Sequence, residues 1–114
     1  VLVVEDNALV RVALAQMLTG WGLEVHTASD GEQALAALAR SAFDVVLSDW
    51  RLPGARDGLA VLHRAKACQD GLKLAAILTG EGTQLLGQAG QGFPVLRKPL
   101  RPLRLRSLLA AHLA

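Results

Sequence analysis

Aromatic residues are scarce in this chain of 114 residues: two Trp, two Phe and no Tyr, 4% of the total. Any core is therefore aliphatic, drawn from the 52% of residues that are hydrophobic. Cysteine is reduced to Cys68, which excludes a disulfide framework and a thiolate zinc site and suits a reducing, cytoplasmic setting. No apolar run reaches the roughly 18–20 residues of a membrane span, so no membrane contact is expected of this domain. No secretory leader is visible, and the chain opens on Val1 inside an apolar run, which suggests a segment cut from a longer protein. Acids are missing from one end. Val1 to Glu81 hold ten acids and seven bases, whereas Gly82 to Ala114 hold five bases and no acid, a separation hidden by the formal net charge of +2.

The length is that of one domain, residues 1–114. Its aliphatic content excludes compositional disorder. Short aliphatic or β-branched runs, Val1–Val4, Leu23–Thr27, Phe43–Ser48, Leu72–Leu78 and Phe93–Leu96, alternate with segments of helical period. In the first such segment Val10, Leu14, Met17, Leu18 and Trp21 form one apolar stripe, and Leu105, Leu108, Leu109 and Leu113 repeat it near the end. Gly20 and Gly22 bracket Trp21 and stop the first helix. Ser29 to Glu32 match a capping box, so the second helix starts there. Runs such as Val45-Val46-Leu47 are apolar at every position, as a strand covered on both faces allows. Five βα units of this kind predict an α/β domain: a doubly wound, five-stranded parallel sheet with helices on both faces.

Such folds bind ligands at the carboxyl ends of their strands. Those ends bring together Glu5 and Asp6, then Asp49, Thr79 with Gly80, and Lys98 with Pro99. Clustered carboxylates repel unless a cation or proton relieves them. A hard divalent cation with oxygen ligands, most simply Mg2+, is the natural occupant. A metal, an ammonium and a hydroxyl around one carboxylate suit phosphoryl chemistry, with the carboxylate as nucleophile. A Gly-rich phosphate loop after the first run is lacking, which argues against ATP-using kinase activity in this domain.

In order and spacing these motifs resemble the receiver domain of two-component response regulators over essentially the whole chain. They are Val3-Val4-Glu5-Asp6-Asn7, Asp44 to Gly54 around Asp49, Asp57-Gly58, Ile77-Leu78-Thr79-Gly80 and Arg97-Lys98-Pro99. The resemblance implies a flavodoxin-like receiver fold and a role for each site residue. Asp49 would take a phosphoryl group from a partner's phosphohistidine and later lose it by hydrolysis or onward transfer. Asp6, Asp49 and the backbone carbonyl of Arg51 would hold Mg2+, and Glu5 would act mainly through a metal-bound water. Thr79 would hydrogen-bond a phosphoryl oxygen. Lys98 would pair with Asp49 in the empty site, aimed inward by a Lys98–Pro99 bond that is usually cis in this family. Gly80 would leave the phosphoryl pocket open, and Trp50, partly exposed, would screen the acyl phosphate. The implied partner is a sensor histidine kinase or a histidine phosphotransfer domain, in cis or in trans. The residues from Asp49 to Gly54 look most like the C-terminal receivers of hybrid histidine kinases.

Two departures bear on output. Val95 stands where receivers commonly carry an aromatic residue, with Phe93 two positions earlier. Five glycines between Thr79 and Lys98 predict a fourth helix that is short or irregular. Both favour an alternative, a phosphorylation-independent interaction module on a receiver fold, against which the complete acidic site argues. His26, His63 and His112 have no ligand spacing and read as surface residues. The basic residues from Arg97 to Arg106 lack interleaved aromatics, so no nucleic acid is expected on this domain.

Overall fold

The computed structural model describes residues 1–54, 57–80 and 92–113, and in them the aliphatic runs become strands and the periodic segments helices. The strands are β1 (Leu2–Val4), β2 (His26–Ala28), β3 (Val45–Asp49), β4 (Leu74–Thr79) and β5 (Val95–Arg97). The helices are α1 (Ala8–Gly20), α2 (Gly31–Arg40), α3 (Gly58–Cys68) and, numbered here as α4, Pro102–Leu113. The irregular helix expected between Thr79 and Lys98 falls on residues 81–91, outside the described residues. All strand pairs are parallel, in the order β2-β1-β3-β4-β5. That is the expected doubly wound sheet, and its order reverses between β1 and β3.

Alternation along the strands divides the core in two. Leu2, Val4, Val46, Ala75 and Ile77 face α2 and α3, where Leu38, Phe43 and Leu62 complete one cluster. Val3, Val45, Leu47, Ala76 and Leu78 face α1 and α4, where Leu14, Leu18, Leu105 and Leu109 complete the other. Every residue of β3 and β4 is buried, which is why their sequences do not alternate in polarity. Each fully buried Leu or Val contributes about 1.5–3 kcal/mol of transfer free energy, so an aliphatic core suffices.

The termini of α1 are set by local chemistry. Asn7 caps the start, its side chain accepting from the N–H groups of Leu9 and Val10 at 3.0 and 3.1 Å. At the other end Gly22 adopts φ +87°, and the N–H groups of Gly22 and Leu23 return to the carbonyls of Thr19 and Leu18. This Schellman arrangement needs a left-handed residue, which glycine supplies. The cap of α2 differs from the sequence expectation by one residue. Asp30, not Ser29, accepts from the Gln33 N–H at 2.8 Å, and Gln33 Oε1 reaches back to the Ser29 N–H at 2.9 Å. Gln thus takes the part assigned to Glu32.

Candidate functional site

The strands run further than their apolar sequences. Asp49 and Thr79 are the last paired residues of β3 and β4, opposite Leu78 and Arg97, rather than the first residues beyond them. Ladder hydrogen bonding does not stop where side-chain polarity changes. Both side chains are therefore held by sheet backbone, and both residues are buried, at 9% and 2% exposure. Glu5 follows β1 directly, tied in by its N–H to the Ala28 carbonyl at 3.0 Å. Lys98 follows β5, and its N–H donates to the Thr79 carbonyl at 2.7 Å. Acid, hydroxyl and ammonium are thus fixed at the carboxyl edge of neighbouring strands.

Carboxylate oxygens of Glu5, Asp6 and Asp49 converge within 4.8 Å of one another at the β1/β3 switch point. Lys98 Nζ lies 2.7 Å from Glu5 Oε2 and 3.2 Å from Asp49 Oδ2. The lysine therefore makes the expected pair with Asp49 and adds a closer one with Glu5. The longer Glu side chain reaches the ammonium, and at 1% exposure its charge has little water to turn to. The second Glu5 oxygen, Oε1, accepts from the Asn7 N–H at 3.2 Å.

These surroundings shift two groups. Burial first, then the repulsion of Glu5, pushes Asp49 up to about 6 against the opposing pull of Lys98. For Lys98, burial works against the charge, but the Glu5 hydrogen bond and the attraction of Asp49 outweigh it and raise the pKa. Three carboxylates facing one ammonium form an all-oxygen, electron-rich donor set, which fits a hard divalent cation such as Mg2+.

Pro99, Trp50, Arg51 and Gly80 lie just beyond the carboxyl ends of β5, β3 and β4. The Lys98–Pro99 bond is cis, as the resemblance implied. Trp50 is half-buried against the α2/α3 side of the core, its N–H donating to Leu78 and its carbonyl accepting from the Gly58 N–H, each at 2.9 Å. The exposed Arg51 lays its guanidinium over the Trp50 ring, 5.2 Å from the centroid. Gly80 is exposed, and a Cβ there would meet nothing within 4 Å among the described residues. Val95 is half-buried on β5, while Phe93 meets the His63 ring edge-on at 5.2 Å. His26, His63 and His112 are exposed, as expected of surface residues.

Asn7, Arg11 and Gly58 shape the site in ways that the sequence motifs do not state. Asn7, a preferred cap residue ahead of a helical stripe, was open to discovery. Arg11, whose Nη1 donates to the Glu5 and Asp6 carbonyls at 2.9 and 3.4 Å, was not. Gly58 belongs to a recognised motif, but its reason is tertiary: a Cβ there would overlap the Asp49 carbonyl oxygen.

A family model described as the response regulator receiver domain matches residues 1–110. The DNA-binding transcriptional regulator NtrC of Salmonella typhimurium is 47% identical over 64 residues, 56% of this chain and 13% of NtrC. The sensor histidine kinase RcsC of the same organism is 39% identical over 77 residues, 68% of this chain and 8% of RcsC. The chain therefore spans a small fraction of the length of these relatives. The crystal structure of the receiver domain of sensor histidine kinase PA1611 from Pseudomonas aeruginosa, with a magnesium ion coordinated in its active site cleft, superposes with a TM-score of 0.85. It is 29% identical, over 97% of this chain and 93% of that one. With the family model, the sheet order and the acidic edge in agreement, the chain belongs to the response regulator receiver domains of two-component systems.

Proposed function

We propose that this domain, residues 1–114 of a longer protein, is a phosphorelay receiver that takes a phosphoryl group from phosphohistidine onto Asp49. The observation that carries this reading is the convergence of three carboxylates and one ammonium at the β1/β3 switch point. An Asp49 oxygen attacks phosphorus, the phosphorus–nitrogen bond to the donor histidine breaks, and the imidazole keeps the electron pair. Lys98 then follows the new phosphoryl charge, and the Thr79 hydroxyl donates to a phosphoryl oxygen. Water, or a second histidine, later displaces the Asp49 carboxylate from phosphorus and restores it. When bound, Mg2+ supplies neutralisation of phosphoryl charge, held by Asp6, Asp49 and the Arg51 carbonyl, with Glu5 acting through a water. Positioning and charge neutralisation do most of the work in such transfers. Trp50, with Arg51 over its ring, screens the acyl phosphate, and Gly80 leaves room beside it.

The donor is a sensor histidine kinase or a histidine phosphotransfer domain. Beside Lys98, a cavity of about 350 Å³ lined by Leu9, Val10, Met17 and Leu100 offers an apolar seat for a donor helix. The resemblance to RcsC and to the PA1611 receiver supports a hybrid histidine kinase as the parent protein, with this domain on its cytoplasmic side. Incubation with acetyl phosphate and Mg2+ tests the reading: one phosphoryl group per chain is expected, none without Mg2+, and none on Asp49→Asn. Label that survives Asp49→Asn sinks it.

A second reading, an interaction module indifferent to phosphorylation, is favoured by Val95 and by Phe93 already being engaged with His63 on α3. It requires partner binding to be equal in the wild type and Asp49→Asn, with and without beryllofluoride.

A further inference from the structure

The connection from β1 to α1 carries two of the three carboxylates of the site, and one side chain from outside it holds its backbone. Arg11, on the second turn of α1, folds its guanidinium back so that Nη1 donates to the Glu5 carbonyl at 2.9 Å and, more weakly, to the Asp6 carbonyl at 3.4 Å. Its own N–H donates to the Asn7 carbonyl at 2.9 Å. Three consecutive carbonyls thus accept from a single residue. Among the described residues Arg11 makes no ion pair, so its guanidinium serves backbone oxygens and occupies no carboxylate oxygen of the site.

We propose that Arg11 is a positioning residue for the cation site, fixing the peptide planes from which Glu5 and Asp6 project. The inference rests on the receiver reading above and adds a determinant of cation affinity to it. Glu5 is further fixed by Lys98 and by the Asn7 N–H. Asp6 is exposed, and among the described residues the Arg11 guanidinium is the side-chain group that holds its carbonyl. Two effects of Arg11 on a bound cation oppose each other. Its charge repels a divalent ion, so on Coulomb grounds its removal tightens binding. Its hydrogen bonds pre-set the carboxylates, so on geometric grounds removal weakens binding. Arg11 is only half-buried, so solvent screens its charge, whereas a loosened loop misplaces ligands at no distance at all. Partners that orient metal ligands are typically worth 10–100-fold in affinity, and geometry prevails.

The test is a Mg2+ titration of the whole chain, followed by amide NMR shifts, with thermal melting recorded in the absence of metal. Wild type saturates. Arg11→Met weakens Mg2+ binding about tenfold, and Arg11→Lys, which keeps the charge but loses the planar fork, weakens it about threefold. Arg104→Met, on the exposed surface of α4, leaves it unchanged. Tighter or unaltered binding in Arg11→Met overturns the proposal, as does a lowered melting temperature with unaltered affinity. If Arg11→Met does not fold, Arg11→Lys decides by the same criterion. A wild-type chain that fails to bind Mg2+ overturns the receiver reading itself, whatever the variants do.

Discussion

With its pKa pushed up to about 6, Asp49 holds a proton in the folded protein that an unfolded chain, at its usual 3.8, has already released near pH 5. Where the folded state binds more protons, stability falls as pH rises. In the absence of Mg2+ this residue's contribution to the melting temperature therefore declines between about pH 4 and 6. Asp49→Asn flattens that stretch of the curve and melts about 2–5 °C above wild type at neutral pH, as calorimetry will read. Gly58 makes a second residue-level prediction. Because a Cβ there would overlap the Asp49 carbonyl oxygen, Gly58→Ala displaces the β3–α3 connection at a cost of about 1–3 kcal/mol. On the proposed receiver reading, acetyl phosphate labelling slows with it, since the backbone of Asp49 moves. Asp49, Thr79 and Lys98 were legible as residues because each is a reactive type at the end of an aliphatic run. The requirement for glycine at Gly58 was not, because it arises from a segment folding back onto β3.

Gln69 shows the same limit at the level of elements. It caps α3, yet its side chain serves the α2–β3 connection: Nε2 donates to the Leu38 and Ser41 carbonyls at 2.8 and 2.9 Å, and Oε1 accepts from the Phe43 N–H at 2.9 Å. Gln69→Leu strands three backbone groups and costs about 2–4 kcal/mol, visible as a lower urea midpoint with an unchanged slope. Nothing in the sequence distinguishes this glutamine, since its partners lie 26 to 31 residues away. Aliphatic periodicity, by contrast, located all five strands and the stripes of α1 and α4. It misplaced their ends, because Leu23, Phe43, Leu72 and Phe93 pack on the core before pairing begins, while Asp49 and Thr79 pair although polar. At the end of α1, Gly22→Ala forces a side chain into the left-handed region and costs about 1–2 kcal/mol by the same urea assay.

For the molecule as a whole, the separation of charge along the chain is resolved across the sheet. The carboxylates arrive just after β1 and at the end of β3, and the ammonium after β5, so folding alone assembles the centre. A ligand that binds only the folded form stabilises it by about 2.7 kcal/mol at a hundred times its dissociation constant. Mg2+ at that excess should raise the melting temperature by roughly 10 °C, and Asp6→Asn should remove most of the gain. The division of the core has a further consequence, for how such a chain can change over generations. Neighbouring residues of β3 and β4 belong to opposite cores, so gaining or losing one codon within either strand exchanges the two cores and carries Asp49 or Thr79 off the edge. Substitution among aliphatic residues leaves both intact. Lineages of this domain are thus free to vary the composition of their central strands while holding the length constant, and to absorb insertions at the opposite rim, as around the exposed Gly71. A library of single-codon insertions scored for folding will show that division.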